Sequence, residues 1–87
     1  MTVNTSKEAI VVWCQEYLAD VLGVPAAAVD PVATFDYLGV GSAIAVSLLI
    51  NVEARYGVEL PAQTLFDNRS LNAVAEHVAV LALPDAA

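Results

Sequence analysis

Hydrophobic residues in the N-terminal part of the chain recur with the spacing of an amphipathic helix. Apolar side chains lie three and four residues apart on one face: Ile10, Trp13, Cys14, Tyr17, Leu18, Val21 and Leu22. This spacing predicts a core-facing helix, because such residues share a face. Thr5 and Glu8 have the spacing of a capping box, and Gly23 followed by Pro25 ends the pattern. A first helix is therefore predicted over residues 6–22, beginning near Thr5 or Ser6.

A second helix is predicted over Ser42–Tyr56, ended by Gly57. Its core face is predicted to hold Ala45, Leu48, Leu49, Val52 and Tyr56. A second apolar stripe also follows steps of three and four residues: Ala43, Val46, Ile50 and Ala54. A helix that is apolar nearly all round is either buried or paired with another surface. We expect the second stripe, together with Ser47, to face partner proteins.

The remaining segments predict a long first loop and two further helices. Hydrophobic residues show no persistent period over residues 23–41, although one helical turn is predicted over 26–29. Its apolar anchors against the helices are predicted to be Val29, Val32, Phe35 and Leu38. A short helix is predicted over 62–66, and Ser70 is the predicted N-cap of a last helix that Pro84 ends. The inward positions of that helix are Leu71, Val74, Ala75, Val78 and Leu81.

The pattern as a whole predicts one all-α domain over residues 5–83, with frayed ends at 1–4 and 84–87. Three main helices, one short helix and a long first loop make up this bundle, because no segment shows sustained strand alternation. Hydrophobic residues make up 59% of the chain, above the usual range of about 45–50%. A chain of 87 residues has room for one core only. We expect a monomer.

Charge and hydropathy exclude several classes of function. Ten acidic and three basic residues give a net charge of −7, which repels nucleic-acid backbones and anionic lipid surfaces. The longest run without a charged side chain, residues 37–52, is shorter than the stretch of about 20 that spans a membrane. The N-terminus lacks the apolar core of a signal peptide. We therefore expect a cytoplasmic protein that binds neither nucleic acid nor membrane.

The catalytic inventory of the sequence is small. Cys14 is the only cysteine, and its place in the helical pattern is typical of a buried apolar side chain. His77 has no partner at metal-ligand spacing, and there is no glycine-rich phosphate loop after a strand. No metal site and no enzyme activity are predicted, so any chemistry has to come from a partner or an attached group.

Ser42 stands out as a candidate attachment point. The segment Leu38-Gly39-Val40-Gly41-Ser42 brings a serine to the first turn of a predicted helix through a flexible approach. Unpaired amides and the positive dipole end at a helix N-terminus accommodate a phosphate. Taken alone, however, a serine at this place is most often a simple N-cap that contributes about 1 kcal/mol.

The ordered motifs around Ser42 resemble those of acyl carrier proteins, most closely the carrier domains of polyketide synthases. They run from Phe35-Asp36-Tyr37-Leu38-Gly39-Val40-Gly41-Ser42 through Ala45, Leu48 and Glu53 to Tyr56-Gly57-Val58-Glu59-Leu60-Pro61, Leu65-Phe66-Asp67 and Leu71-x-x-Val74-Ala75-x-His77-Val78. The resemblance implies a four-helix carrier bundle with a long first loop. It also implies that a phosphopantetheinyl transferase attaches 4′-phosphopantetheine to Ser42, next to Gly41, and that the arm's thiol holds acyl or polyketide intermediates as thioesters. The implied partners are that transferase, an acyltransferase or other acyl-loading enzyme, and a ketosynthase or other synthase enzyme, which read the second helix.

The sequence departs from this family at several positions of the second helix. Gly41 stands where the family usually has Asp, and Ala43 stands where Leu or Ile is common. Ser47, Ala54 and Arg55 occupy positions that are often acidic. These departures favour docking that is more apolar and less electrostatic than usual.

Three alternatives remain open at this point. The departures at Gly41 and Ala43 suit a carrier-like domain that is never modified and only docks. A peptidyl carrier of a nonribosomal peptide synthetase would bear the same arm with an aminoacyl cargo, although the segments around Glu53 and Leu60-Pro61 favour the polyketide type. A generic three-helix scaffold is the remaining alternative, and the ordered motifs oppose it.

Overall fold

The computed structural model describes residues 4–82 and confirms the predicted all-α fold. The helices are α1 (Lys7–Leu22), α2 (Phe35–Leu38), α3 (Ser42–Tyr56), α4 (Thr64–Asp67) and α5 (Leu71–Leu81), and a 3-10 turn covers Ala26–Ala28. Within residues 4–82 there is no strand, only an isolated antiparallel bridge between Thr34 and Ser70. Of the ends predicted to fray, residues 1–3 and 84–87 lie outside the described residues. The domain limits stay a prediction.

Serine hydroxyl groups cap the two long helices that form the main packing pair. Ser6 is the N-cap of α1, and its Oγ accepts the Ala9 amide at 3.2 Å. Ser70 caps α5 in the same way through the Ala73 amide. Of the two predicted starts of α1, Ser6 is correct, and the capping box from Thr5 does not form. Each such cap stabilises its helix by about 1 kcal/mol, because it satisfies an amide that has no partner in the first turn.

The core lies where α1, α3 and α5 pack against one another. Its fully buried side chains come from all three helices: Ile10, Cys14, Leu18, Leu48, Val52, Leu71, Val74, Ala75 and Val78. Each large apolar side chain buried in this way contributes about 1.5–3 kcal/mol relative to an exposed one. The predicted core faces of α1, α3 and α5 are therefore correct in their central turns.

Some residues of the predicted apolar faces are exposed, at places where no neighbouring element covers them. Val21 and Leu81 follow the correct period, but each is 47% exposed near the C-terminal end of its helix. Tyr56, at the end of α3, is only half-buried and packs edge-on against Trp13. Periodicity assigns a side chain to a face, whereas burial also requires an element packed over that part of the face. Val32, a predicted anchor of the first loop, is likewise exposed.

The first loop contains a short helix, α2, that the sequence pattern did not predict. Thr34 caps it by accepting the Tyr37 amide at 3.2 Å, and Gly39 ends it in the left-handed region with a φ of 76°. Glycine suits that conformation because it has no Cβ to clash. The loop is held to α1 through Val29, which is buried and whose carbonyl accepts Gln15 Nε2 at 2.8 Å.

Backbone hydrogen bonds join the first loop to the connection between α4 and α5. The Phe35 amide donates to the Arg69 carbonyl at 2.9 Å, and the Asn72 amide donates to the Pro31 carbonyl at 2.8 Å. The side chain of Phe35 is buried beside them. The first loop, which leads into α3, is therefore held at two points to one distant part of the chain, residues 69–72.

Candidate functional site

Ser42 is the first residue of α3, and its side chain is exposed. The N-cap is Gly41, which has an extended backbone and offers no side-chain cap. The interpretation of Ser42 as a simple N-cap is therefore wrong. Whereas Ser6 and Ser70 accept helix amides, the Ser42 hydroxyl has no hydrogen-bond partner within residues 4–82. This leaves a hydroxyl available to another molecule.

Buried residues on both sides hold the exposed serine in place. Val40 is buried two residues before it, and the Val40 amide donates to the Phe35 carbonyl at 2.9 Å. Ala45 is buried three residues after it, and the Ala45 amide donates to the Gly41 carbonyl at 3.0 Å. The chain between these anchors cannot sink into the core, so Ser42 is presented at the surface in a defined position.

The first turn of α3 offers backbone donors at this serine. The first four amides of a helix have no acceptor within it. In α3 the first amide that donates to a backbone carbonyl of the helical hydrogen-bond series is that of Ala45, which donates to the Gly41 carbonyl. No acidic side chain lies in this turn. The amides and the positive end of the helix dipole therefore favour a negatively charged group on Ser42.

An open groove of about 500 Å³ lies beside Ser42. Its lining comes from α2, α3, α4 and the segments next to them: Thr34, Phe35, Asp36, Val40, Ser42, Ala45, Val46, Ala62, Leu65, Phe66 and Arg69. Most of these side chains are apolar, and Phe66 is 67% exposed. The volume falls within the range of about 300–1,000 Å³ that is typical of small-molecule sites.

Four of the residues predicted to face partners form an exposed stripe on α3. Ala43, Val46, Ile50 and Ala54 are all exposed, with 38% of Val46 and 58% of Ile50 accessible. We call these four residues the α3 stripe. Val46 also lines the groove, so the stripe and the groove are continuous. The role of the stripe in docking stays a prediction.

Ser47, the fifth residue predicted to face partners, is half-buried between α3 and α1. Its hydroxyl shares a hydrogen bond of 2.5 Å with the Tyr17 hydroxyl. Asn51 Nδ2 donates to both the Tyr17 hydroxyl and the Ser47 carbonyl, at 3.2 and 2.8 Å. These bonds join the two helices, and the Ser47 hydroxyl is less available than the side chains of the stripe.

Sequence reasoning missed several residues that the fold brings near the site. Asp36 lines the groove together with Phe66 and Arg69, which lie far from it along the chain. Arg55 stacks on the rings of Trp13 and Tyr56, with its guanidinium carbon 5.4 and 5.6 Å from the ring centres. Periodicity could not reveal these contacts, because each depends on how separate elements pack.

Cys14, another candidate side chain of the sequence, is buried in the core. Burial raises the pKa of the Cys14 thiol to about 12, because the charged thiolate would lose its hydration. Residues 4–82 contain no group of three or more His, Cys, Asp and Glu side chains placed to hold a metal. No helix in the same part of the chain has the length and apolar character needed to cross a membrane.

Comparison with known proteins assigns the chain to a family. The chain belongs to the family described as phosphopantetheine attachment site, whose model matches residues 13–78. The chain is 30% identical over 67 residues to the acyl carrier protein TtuC of Teredinibacter turnerae, and the match covers 77% of each protein. The chain is therefore a phosphopantetheine carrier domain.

Two solved structures share the fold. A free-standing peptidyl carrier protein from an uncharacterised secondary metabolic pathway of Acinetobacter baumannii superposes with a TM-score of 0.81 and 26% identity, over 88% of this chain and 96% of its own. The HMG-ACPI domain of the CurA module from Lyngbya majuscula gives a TM-score of 0.78 and 24% identity, over 94% of this chain and 87% of its own. At that identity the second likeness concerns the fold alone.

Membership of the family implies covalently attached 4′-phosphopantetheine. The surroundings of Ser42 fit this group, because they offer an exposed hydroxyl without a partner, backbone donors for a phosphodiester, and an adjoining groove. When bound, the group would supply a terminal thiol as the attachment point for a carried intermediate. Carrier domains are themselves non-catalytic and in general interact with synthase and transferase enzymes.

Proposed function

We propose that the chain holds acyl or polyketide intermediates as thioesters on a 4′-phosphopantetheine arm attached to Ser42. The observation that carries this proposal is the exposed Ser42 hydroxyl, which lies at the first residue of α3 without a hydrogen-bond partner in residues 4–82. A phosphopantetheinyl transferase adds the arm, and Gly41 leaves room beside the serine, because no atom beyond its own chain neighbours lies within 4 Å of the position of an added Cβ.

The α3 stripe is the surface that we propose partner enzymes read. An acyltransferase or other acyl-loading enzyme charges the arm, and a ketosynthase or other synthase enzyme takes the intermediate from it. Val46 and Ile50 are the large apolar side chains of the stripe, and Val46 adjoins the groove beside Ser42. A bare stripe of this kind on a small domain is typical of an interaction site.

Intact-mass measurement tests the attachment site. Incubation with coenzyme A and a broad-specificity transferase is expected to add one phosphopantetheinyl group, and Ser42→Ala is expected to abolish the addition. Ser47→Ala and Ser70→Ala serve as matched controls, since both hydroxyls are engaged within the fold. Modification of Ser42→Ala would contradict the assignment, and a wild-type chain that no transferase modifies would support an unmodified docking module instead.

A peptidyl carrier is the second candidate, and the superposition on a free-standing peptidyl carrier protein favours it. The two candidates differ in cargo. The holo protein can be offered to an acyltransferase with an acyl-coenzyme A, and separately to an adenylation enzyme with an amino acid and ATP. Loading by the first alone, read by intact mass, supports the acyl carrier. Loading by the second alone contradicts it.

A further inference from the structure

The chain has three basic side chains, and two of them are already engaged away from Ser42. Lys7 Nζ lies 3.7 Å from Glu76 Oε2. Arg55 stacks on two aromatic rings near the C-terminal end of α3, about 20 Å from Ser42 at 1.5 Å of rise per residue. Arg69, by contrast, lines the groove that Ser42 also lines. The chain therefore has few basic side chains, and one of them, Arg69, lines the same groove as Ser42.

The backbone of Arg69 is fixed while its guanidinium group remains available. Its carbonyl accepts the Phe35 amide at 2.9 Å, next to the bridge between Thr34 and Ser70. Its Nε donates to the Phe66 carbonyl over a long 3.4 Å. Within residues 4–82 no carboxylate oxygen lies within 4 Å of it, because the single ion pair there joins Lys7 and Glu76. The terminal nitrogens are thus free to bind an anion in the groove.

We propose that Arg69 binds the phosphodiester of the phosphopantetheine arm. This inference rests on the proposed attachment at Ser42. The phosphodiester carries a full negative charge, and a guanidinium group matches phosphate oxygens with two parallel N–H donors. Covalent attachment keeps the phosphate near the groove, so no translational freedom is lost when the contact forms. Arg69 and the first-turn amides of α3 then hold the base of the arm from two different elements.

The carboxylate of Asp36 is expected to weaken the contact between Arg69 and the phosphodiester. This carboxylate lines the same groove and is exposed at the start of α2. Like charge disfavours a phosphate nearby, so Asp36→Asn is expected to strengthen the contact with Arg69. Both groups are exposed to solvent, and salt is expected to weaken their effects because the screening length is about 10 Å at 0.1 M.

Nuclear magnetic resonance of the apo and holo proteins tests the proposal directly. Arg55 and Arg69 are the only arginines, so the chain gives two arginine Nε–H signals. The Arg69 signal is expected to shift on formation of the free-thiol holo protein, more so in Asp36→Asn and less at high salt, while the Arg55 signal stays in place. The phosphorus resonance of the arm is expected to move in Arg69→Gln and not in Arg55→Gln. Arg69→Gln keeps the backbone bond to Phe35, and its melting temperature provides the check on folding.

The outcomes separate this inference from the function on which it rests. An intact mass without an added group overturns both. A modified chain whose Arg69 and phosphorus signals are unchanged overturns the contact alone. A comparison of the malonyl and acetyl forms of the holo protein shows whether Arg69 binds the phosphodiester of the arm or the carboxylate of the cargo. A shift of Arg69 with malonyl cargo only would assign the anion to the cargo carboxylate and overturn the assignment to the arm.

Discussion

Paired substitutions on α3 should separate the α3 stripe from the core. Leu48 and Ile50 lie two residues apart on the same helix, but Leu48 is 0% exposed and Ile50 is 58% exposed. Truncation of a fully buried leucine costs about 2–5 kcal/mol, because transfer energy is lost and a cavity remains. A surface substitution usually stays within about 0.5 kcal/mol. Leu48→Ala is therefore expected to destabilise the domain several times more than Ile50→Ala.

The expected difference is large enough for a simple thermal measurement. In a domain of this size 1 kcal/mol shifts the melting temperature by about 4–8 °C. Leu48→Ala should then lower Tm by at least about 8 °C and Ile50→Ala by less than about 4 °C, read by circular dichroism. Equal losses of stability in the two variants would show that the stripe belongs to the core, and the proposed docking surface would have to be abandoned.

The same stripe can be tested for docking with charged substitutions. Val46→Asp and Ile50→Asp are expected to weaken binding to the transferase or a synthase enzyme by about fivefold or more, as when an interface contact worth over 1 kcal/mol is lost. Val80→Asp is the matched control, since Val80 is also an exposed valine but lies on α5. The melting temperatures should stay near that of the wild type. Unchanged affinity for every partner tested would refute the docking role.

Three further predictions concern single side chains. Gly41→Asp fits the space and the extended backbone at that position, and as a better N-cap it should raise stability by a few tenths of a kcal/mol. It should also raise the rate of modification, because the carrier proteins that the sequence resembles usually have Asp there; an unchanged or slower rate would show that this transferase does not use a carboxylate at that position. Glu53 Oε2 accepts the Leu60 amide at 2.7 Å, and Glu53→Ala should cost about 1–2 kcal/mol in urea unfolding, with Glu53→Gln losing less. Because burial raises the Cys14 pKa from 9.0 to about 12, the stability that this thiol contributes should be complete below pH 9 and should fall as the pH rises towards 12. Native protein at pH 8 should therefore resist iodoacetamide until denaturant is added, and rapid native labelling would contradict the buried thiol.

The sequence predicted the long helices because their apolar periods cover several turns. The predicted and observed limits of α3 coincide, and α1 and its N-cap Ser6 lie within one residue of the prediction. The short helix α2 was missed because four residues, Phe35–Leu38, are too few to show a period. Thr34 caps it through a local hydrogen bond, whereas the burial of Phe35 depends on tertiary packing.

The residues of the candidate site likewise fall into those that the sequence could predict and those that only the packed structure shows. Ser42 could be found from its neighbours in sequence, since the motif that leads into α3 is contiguous. Arg69 could not, because its place at the groove depends on tertiary contacts such as the hydrogen bond that the Phe35 amide donates to its carbonyl. The hydrogen bond between Ser47 and Tyr17 likewise joins two helices whose facing turns the sequence does not specify. Local patterns predict elements, whereas contacts between distant elements require the packed structure.

The distribution of charge on α3 suits the two roles that we propose for this helix, attachment of the arm and docking of partner enzymes. The helix has no charged side chain from Ser42 to Val52, although the chain carries a net charge of −7. Its first turn therefore places no carboxylate beside Ser42, where a carboxylate would repel the phosphodiester of the proposed arm. The same lack of charge leaves Val46 and Ile50 as apolar contacts that salt affects little. Since Leu48 and Val52 are fully buried on the opposite face, the surface that we propose to carry the arm and to meet partner enzymes packs directly on the core.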